Sequence, residues 1–158
     1  AEALQEGKGV NPLLFEGGEC WLTPDLQALD RLCSLIEAAQ ESLQIAMFTW
    51  TSPKLLAKVI QAHRRGVHVQ VAIDRSSSRG ASSSVVEQLE ASGIEVVLGS
   101  QNHLLHHKHV LIDQKILAMG SANWTESAFA KNEDCLLILY SLNEQQHETL
   151  KSAWKQIA

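Results

Sequence analysis

The sequence predicts an α/β fold: one domain on a mixed, largely parallel β-sheet, with helices on both faces. Three observations carry this. Strand-like apolar runs alternate with segments of helical periodicity along most of the chain. The run Val67-His68-Val69-Gln70-Val71-Ala72-Ile73 is β-branched, ends in Asp74, and follows a strand and a helix, which is a βαβ unit with two parallel strands. Further on, two short apolar runs, Val110 to Ile112 and Ile116 to Met119, flank Asp113-Gln114-Lys115 and read as an antiparallel hairpin.

In order, residues 1–18 carry Gly7, Gly9, Gly17, Gly18 and Asn11-Pro12, and are expected to form an irregular arm, with the folded body running from 19 to 158. Leu13-Leu14-Phe15 could still dock on that body. Cys20-Trp21-Leu22 is a strand candidate. Thr23 or Asp25 then caps a helix with apolar positions Leu26, Leu29, Leu32, Leu35, Ile36 and Ala39. Leu43 to Thr49 is a strand. Ser52-Pro53 opens a second helix, as N-cap and N1, which carries Leu55, Leu56, Val59, Ile60 and His63 and stops before Gly66. After Asp74 comes the serine-rich stretch 75–84, either a solvated connector or a functional rim. The second reading follows from its place after a strand's C-terminal end, where open α/β sheets bind ligands. A helix over Val85 to Ser92, a strand over Ile94 to Leu98, the hairpin, a short helix over Thr125 to Lys131, a strand over Asp134 to Tyr140 and a helix capped by Asn143 complete the chain.

With 45% hydrophobic and 20% charged residues among 158, the chain is expected to be one soluble globular domain with a single core. No apolar run approaches the roughly 20 residues that span a bilayer. A start at Ala1 rather than Met fits removal of an N-terminal segment, and with it export to the periplasm or medium. The net charge of −5 argues against a surface that is basic all over, so a polyanion would need a local patch. Cys20, Cys33 and Cys135 lack metal-ligand spacing and read as small apolar fillers.

The hairpin holds the chemistry. With Gln114-Lys115 as a two-residue turn, Asp113 faces Ile116, Lys108 faces Ser121 and His106 faces Asn123. An imidazole, an ammonium, a hydroxyl and a carboxamide then share one face at the open end. Asp113 falls at the turn and reads as a support. Strand alternation puts His107 and His109 opposite His106, so no metal site formed with His103 is expected, and these histidines read as structural. No G-x-S-x-G accompanies Ser121, which argues against a serine hydrolase.

His106, Lys108, Asp113, Gly120, Ser121 and Asn123 form H-x-K-x-x-x-x-D…G-S-x-N, six fixed residues over eighteen positions. In this the chain resembles the phospholipase D superfamily. The order of elements, Phe48-Thr49-Trp50, Arg65-Gly66-Val67-His68-Val69 and Lys131-Asn132-Glu133 are similar to its small single-motif bacterial nucleases and their mitochondrial relatives. The resemblance implies a phospholipase D-like catalytic domain over 19–158 and a phosphodiesterase that needs no metal or other cofactor. His106 would be the nucleophile, forming a phosphohistidine, or the acid that protonates the leaving oxygen. Lys108 would offset charge on the phosphate and Ser121 and Asn123 would donate to phosphate or to supporting residues, with Gly120 and Asp113 supporting the motif and Glu133 as the downstream carboxylate that orients histidine.

Such a mechanism uses two H-x-K units and this chain has one, which implies a homodimer with its site on the two-fold axis. The same count also fits half of a longer two-motif protein. Single-stranded DNA or RNA is the expected substrate, with Arg75 and Arg79 as guides for the backbone. Trp124 is a further candidate contact for a base, though a core role suits it better. The alternative is a phospholipase or phosphatidyl transferase, which would expose an apolar docking segment at a membrane surface. Leu13-Leu14-Phe15 and Leu104-Leu105 are the candidates.

Overall fold

A computed structural model describes residues 11–157. Eight strands form one sheet: β1 (Leu13–Phe15), β2 (Gly18–Leu22), β3 (Ser42–Met47), β4 (His68–Ile73), β5 (Val96–Leu98), β6 (Lys108–Ile112), β7 (Ile116–Gly120) and β8 (Cys135–Leu139). Among the described residues six helices connect or cover them: α1 (Leu26–Glu37), α2 (Pro53–Arg64), α3 (Arg75–Arg79), α4 (Ser83–Ala91), α5 (Glu126–Ala130) and α6 (Glu144–Lys155). The sheet order is β1-β2-β8-β7-β6-β3-β4-β5. It is mixed, as expected, but its parallel part is confined to β3-β4-β5, and the antiparallel pairings are the more numerous. The parallel part arises from β3-α2-β4, because a strand returning in the same direction needs a crossover.

Strand parity sorts the core. Leu43, Ile45, Met47, Val71, Ile73, Val110 and Ile112 point to one face, where α1, α2, α4 and α5 cover them. Ala46 and Ala72 point to the other, where they meet Leu105, Ile157 and Trp154 at the end of α6. Helix α1 starts at Asp25, whose carboxylate accepts from Gln27 N, and buries Leu29, Leu32, Leu35 and Ile36. Its first apolar position, Leu26, is exposed, because the buried stripe begins one turn later. Ser52 and Pro53 start α2 as expected, and Asn143 closes a capping box on α6 with Gln146.

Two expectations change. Leu13–Phe15, assigned to an irregular arm, is β1, an edge strand paired antiparallel with β2. Residues 1–10 of that arm lie outside the described residues. The serine-rich stretch is no open connector: Asp74 caps α3 by accepting from Ser77 N, and Ser77 and Ser82 are buried and hydrogen-bonded to each other.

Candidate active site

The polar cluster sits at the C-terminal ends of β3 and β4, where β6 enters the sheet. Lys108 pairs with Met47, the last residue of β3. Just upstream, the carbonyl of His107 accepts from Phe48 N. The His106 ring lies 4.6 Å from the Phe48 ring, centroid to centroid, and the Lys108 ammonium is 5.7 Å from the same ring. Lys108 Nζ lies 2.8 Å from His106 Nδ1 and donates to His106 O at 2.9 Å. Partial burial pulls the Lys108 ammonium below its ordinary value, and the charge of Asp134 works against that pull. Phe48 is half-buried, so one apolar ring backs both the imidazole and the ammonium.

The hairpin turn differs from the expected one. Ile112 faces Ile116, and Asp113-Gln114-Lys115 form a three-residue loop closed by Lys115 N donating to Ile112 O. Asp113 and Gln114 both hold positive φ, 53° and 59°. The extra loop residue reverses parity, so a regular ladder would carry Ser121 and Asn123 to the face opposite His106 and Lys108. They reach the site because β7 ends at Gly120 and the chain turns away. A Cβ at Gly120 would collide with the carbonyl oxygen of Cys135, so this approach of β7 to β8 admits only glycine. Ser121 Oγ donates to Asp134 Oδ1 at 2.7 Å and accepts from Cys135 N at 3.0 Å. Asn123 Oδ1 accepts from Thr49 N at 3.1 Å. Trp124 then bridges to Trp50 in parallel fashion, pinning the loop to the end of β3.

Trp124 is no base platform. It is 2% exposed and stands edge-on to Trp50 with centroids 4.7 Å apart, which makes it core. Glu133 is exposed and makes no side-chain hydrogen bond among the described residues, whereas its neighbour Asp134 holds Ser121 and acts on Lys108. Sequence reasoning missed Asp134 by one position. No local signal marks it: Asp134 is fixed at the strand's mouth by Thr23 Oγ1, which accepts from Asp134 N where β2 meets β8. Asp113 acts as the expected support. Its carboxylate accepts from the backbone N–H of Gln40, Glu41 and Ser42, at 2.7–3.1 Å, joining the hairpin to the start of β3. Partial burial pushes its carboxyl upward, and those N–H donors more than offset this, holding it below the usual value.

His107 and His109 lie toward the α6 face, ring centroids 5.4 Å apart. Burial drives the His109 imidazole down to about 4, so it stays neutral. Arg75 and Arg79 are on α3, and Arg75 Nε donates to Gly99 O at 2.9 Å. Asp74, 1% exposed, accepts from Leu105 N at 2.9 Å and from Ser76 Oγ and Ser77 N, which ties the end of β4 to the residue before His106.

A family model described as "Cardiolipin synthase, PLD-like domain" matches residues 32–155. The chain is 34% identical over 138 residues to the mitochondrial cardiolipin hydrolase of Mus musculus, covering 87% of this chain and 62% of that protein. Against the mitochondrial cardiolipin hydrolase of Homo sapiens the identity is 35%, covering 87% and 54%. The chain thus spans little more than half the length of these curated relatives. NucT from Helicobacter pylori superposes with a TM-score of 0.75 at 26% identity, covering 89% of this chain and 94% of that one. Nuc from Salmonella typhimurium, a phospholipase D family member, gives 0.81 at 24%, covering 89% and 95%, a likeness of fold. The family match takes in His106, Lys108, Ser121, Asn123 and Asp134 together, and by it the chain belongs to the phospholipase D superfamily.

Proposed function

We propose that the chain is a metal-independent phosphodiesterase that works through a phosphohistidine and cuts single-stranded DNA or RNA. The observation that carries this is the convergence of His106, Lys108, Ser121 and Asn123 at one mouth of the sheet, with Asp134 behind Ser121. Imidazole can attack phosphorus, and the Lys108 ammonium and the Asn123 amide N–H groups can meet the charge on the non-bridging oxygens, while Ser121, whose hydroxyl donates to Asp134, supports the site.

The contact between Lys108 and His106 defines two states of the ring. When Lys108 donates to Nδ1, the proton of a neutral imidazole sits on Nε2, the form of a general acid. When the proton sits on Nδ1, Nε2 is free to attack. The sequence supplies one such ring, so the reaction calls for a second H-x-K unit, which in this reading comes from a second copy across a two-fold axis. The attacking Nε2 forms the N–P bond as the P–O bond to the leaving group breaks, and the partner's His106 gives that oxygen its proton. Water then attacks the phosphohistidine and returns a proton to the same ring.

The test is cleavage of labelled single-stranded DNA, RNA, duplex DNA and phosphatidyl vesicles, all with chelator, by the wild type and His106→Ala. Cleavage of single strands that survives chelator and disappears in the variant is expected. Loss of activity in chelator with recovery on adding zinc defeats the mechanism. Full activity of a monomer at high dilution defeats the shared site.

A second reading, action on phospholipid, has its own observation. Leu13, Leu14 and Phe15 are 55%, 74% and 45% exposed, and Leu104 is 58% exposed, although Leu105 is buried. Turnover of phosphatidyl vesicles with nucleic acid left intact would select it.

A further inference from the structure

Beside the histidine cluster, at the C-terminal ends of β4 and β5, lies a cleft of about 540 Å³ between α3 and the 99–105 loop. Its walls carry Arg75, Arg79, Gln101, Asn102 and His103, with Leu104 as the apolar lining residue. Among the described residues neither arginine is paired with a carboxylate. The Asp74 carboxylate in the wall is already committed to Leu105 N, Ser77 N and the Ser76 hydroxyl. The two walls are joined, because Arg75 Nε donates to Gly99 O at the start of the loop, which leaves its terminal nitrogens without a partner in the described residues. Arg79 is exposed at the rim.

The cleft is next to the reacting position. Ser100, His103 and Leu104 also line a smaller hollow of about 240 Å³ that reaches His106 and His107. The same loop thus lines both hollows and runs directly into His106.

We propose that this cleft binds the nucleotide adjoining the scissile phosphodiester, with Arg75 and Arg79 on its backbone phosphate and Gln101, Asn102 and His103 around its base and sugar. The inference rests on the nuclease reading above and deepens it. Guanidinium groups suit phosphate oxygens, and amide and imidazole side chains suit the exposed edges of unpaired bases. Acyl chains would find one apolar side chain here, Leu104, which is why a nucleic acid strand is the occupant favoured over a lipid.

The experiment uses the whole chain. In a His106→Ala background, which holds substrate uncut, fluorescence anisotropy measures binding of a labelled single-stranded DNA across a salt series. Adding Arg79→Ala is expected to lower the slope of log affinity against log salt by about 0.7, the value for one phosphate contact on a single strand. Affinity at low salt should fall roughly tenfold. Arg64→Ala, which removes the same charge from the exposed end of α2, is the control and should leave the slope at its starting value. His103→Ala should weaken binding with the salt slope unaltered.

In the otherwise wild-type enzyme, lengthening a dinucleoside monophosphate by one nucleotide on one side should raise kcat/KM, and Arg79→Ala should erase that gain. An unchanged slope with Arg79→Ala, or no gain from the added nucleotide, overturns the cleft assignment even while His106-dependent cleavage stands. Phosphatidyl turnover with no binding or cleavage of nucleic acid overturns the nuclease reading and the cleft with it.

Discussion

Replacing Asp113 separates support from chemistry. Its carboxylate takes N–H donors from Gln40, Glu41 and Ser42, and its own backbone sits at φ 53°. Bonds to a charged acceptor contribute roughly 1.5–3 kcal/mol each when sheltered. Here most of the donors lie near solvent and water can replace the carboxylate, so about 1 kcal/mol apiece is the better figure. A further ~1 kcal/mol follows from placing an ordinary side chain in the left-handed region. Asp113→Ala should therefore cost about 4 kcal/mol. Asp113→Asn keeps a residue tolerant of positive φ and loses the charge, at about 1–2 kcal/mol.

For a chain of this size roughly 2–4 °C of Tm accompanies each kcal/mol, so the alanine variant should melt on the order of 10 °C lower. Because the folded carboxyl lies below its unfolded value, this stability is present above the unfolded pKa and is lost as pH falls through the folded one. The gap between wild type and Asp113→Asn should accordingly close in acid. Calorimetry from pH 7 down to about 3, with kcat/KM well below Tm, reads both quantities. A large fall in kcat/KM for Asp113→Asn at unchanged Tm would refute the assignment of Asp113 as a support.

Other outcomes follow from the same geometry. Asp134→Asn removes the charge that raises Lys108 against its burial, so the alkaline limb of kcat/KM should move to lower pH; an unmoved limb counts against the coupling. Glu133→Gln, on an exposed side chain, should change kcat/KM by about twofold or less, as surface substitutions do, and a larger loss than that of Asp134→Asn would restore Glu133 as the orienting carboxylate. His109 stays neutral with a folded value of about 4 against an ordinary 6.5. The unfolded chain therefore binds the extra proton between those values, and stability should drop on the order of 3 kcal/mol as pH falls through that window. His109→Gln should flatten this part of the profile in denaturant titrations. Gly120→Ala should lower Tm more than any of these, because the backbone oxygen of Cys135 occupies the space its methyl group needs.

What could be read from the chain depended on whether the cause was local. Ser52-Pro53, Asn143 and the β-branched run ending in Asp74 act through their near neighbours, and the elements they mark formed as expected. The turn at Asp113 was misread because neither it nor Gln114 is glycine, and two consecutive left-handed residues leave little trace in such a pair. The arm concealed β1 because Leu13, Leu14 and Phe15 are all exposed and show no inward alternation. The serine-rich stretch left connector and rim undecided because its partners are distant in sequence: Ser82 Oγ accepts from Trp50 N, and Ser77 Oγ lies 3.4 Å from Thr49 Oγ1. Asp134 was hidden for the same reason, since its backbone partner is Thr23.

The fastening on either side of His106 has a dynamic meaning. Leu105 N is held by Asp74, His107 O is held by Phe48 N, and the ladder of β6 begins only at Lys108. The histidine thus rides on a short span clamped at both ends, fixed in place yet outside the sheet. Its ring can turn, or exchange the nitrogen that carries the proton, without breaking a backbone bond. In the two-copy mechanism proposed above, such a mounting would let one His106 attack and the other donate a proton, each ring in its own rotational state.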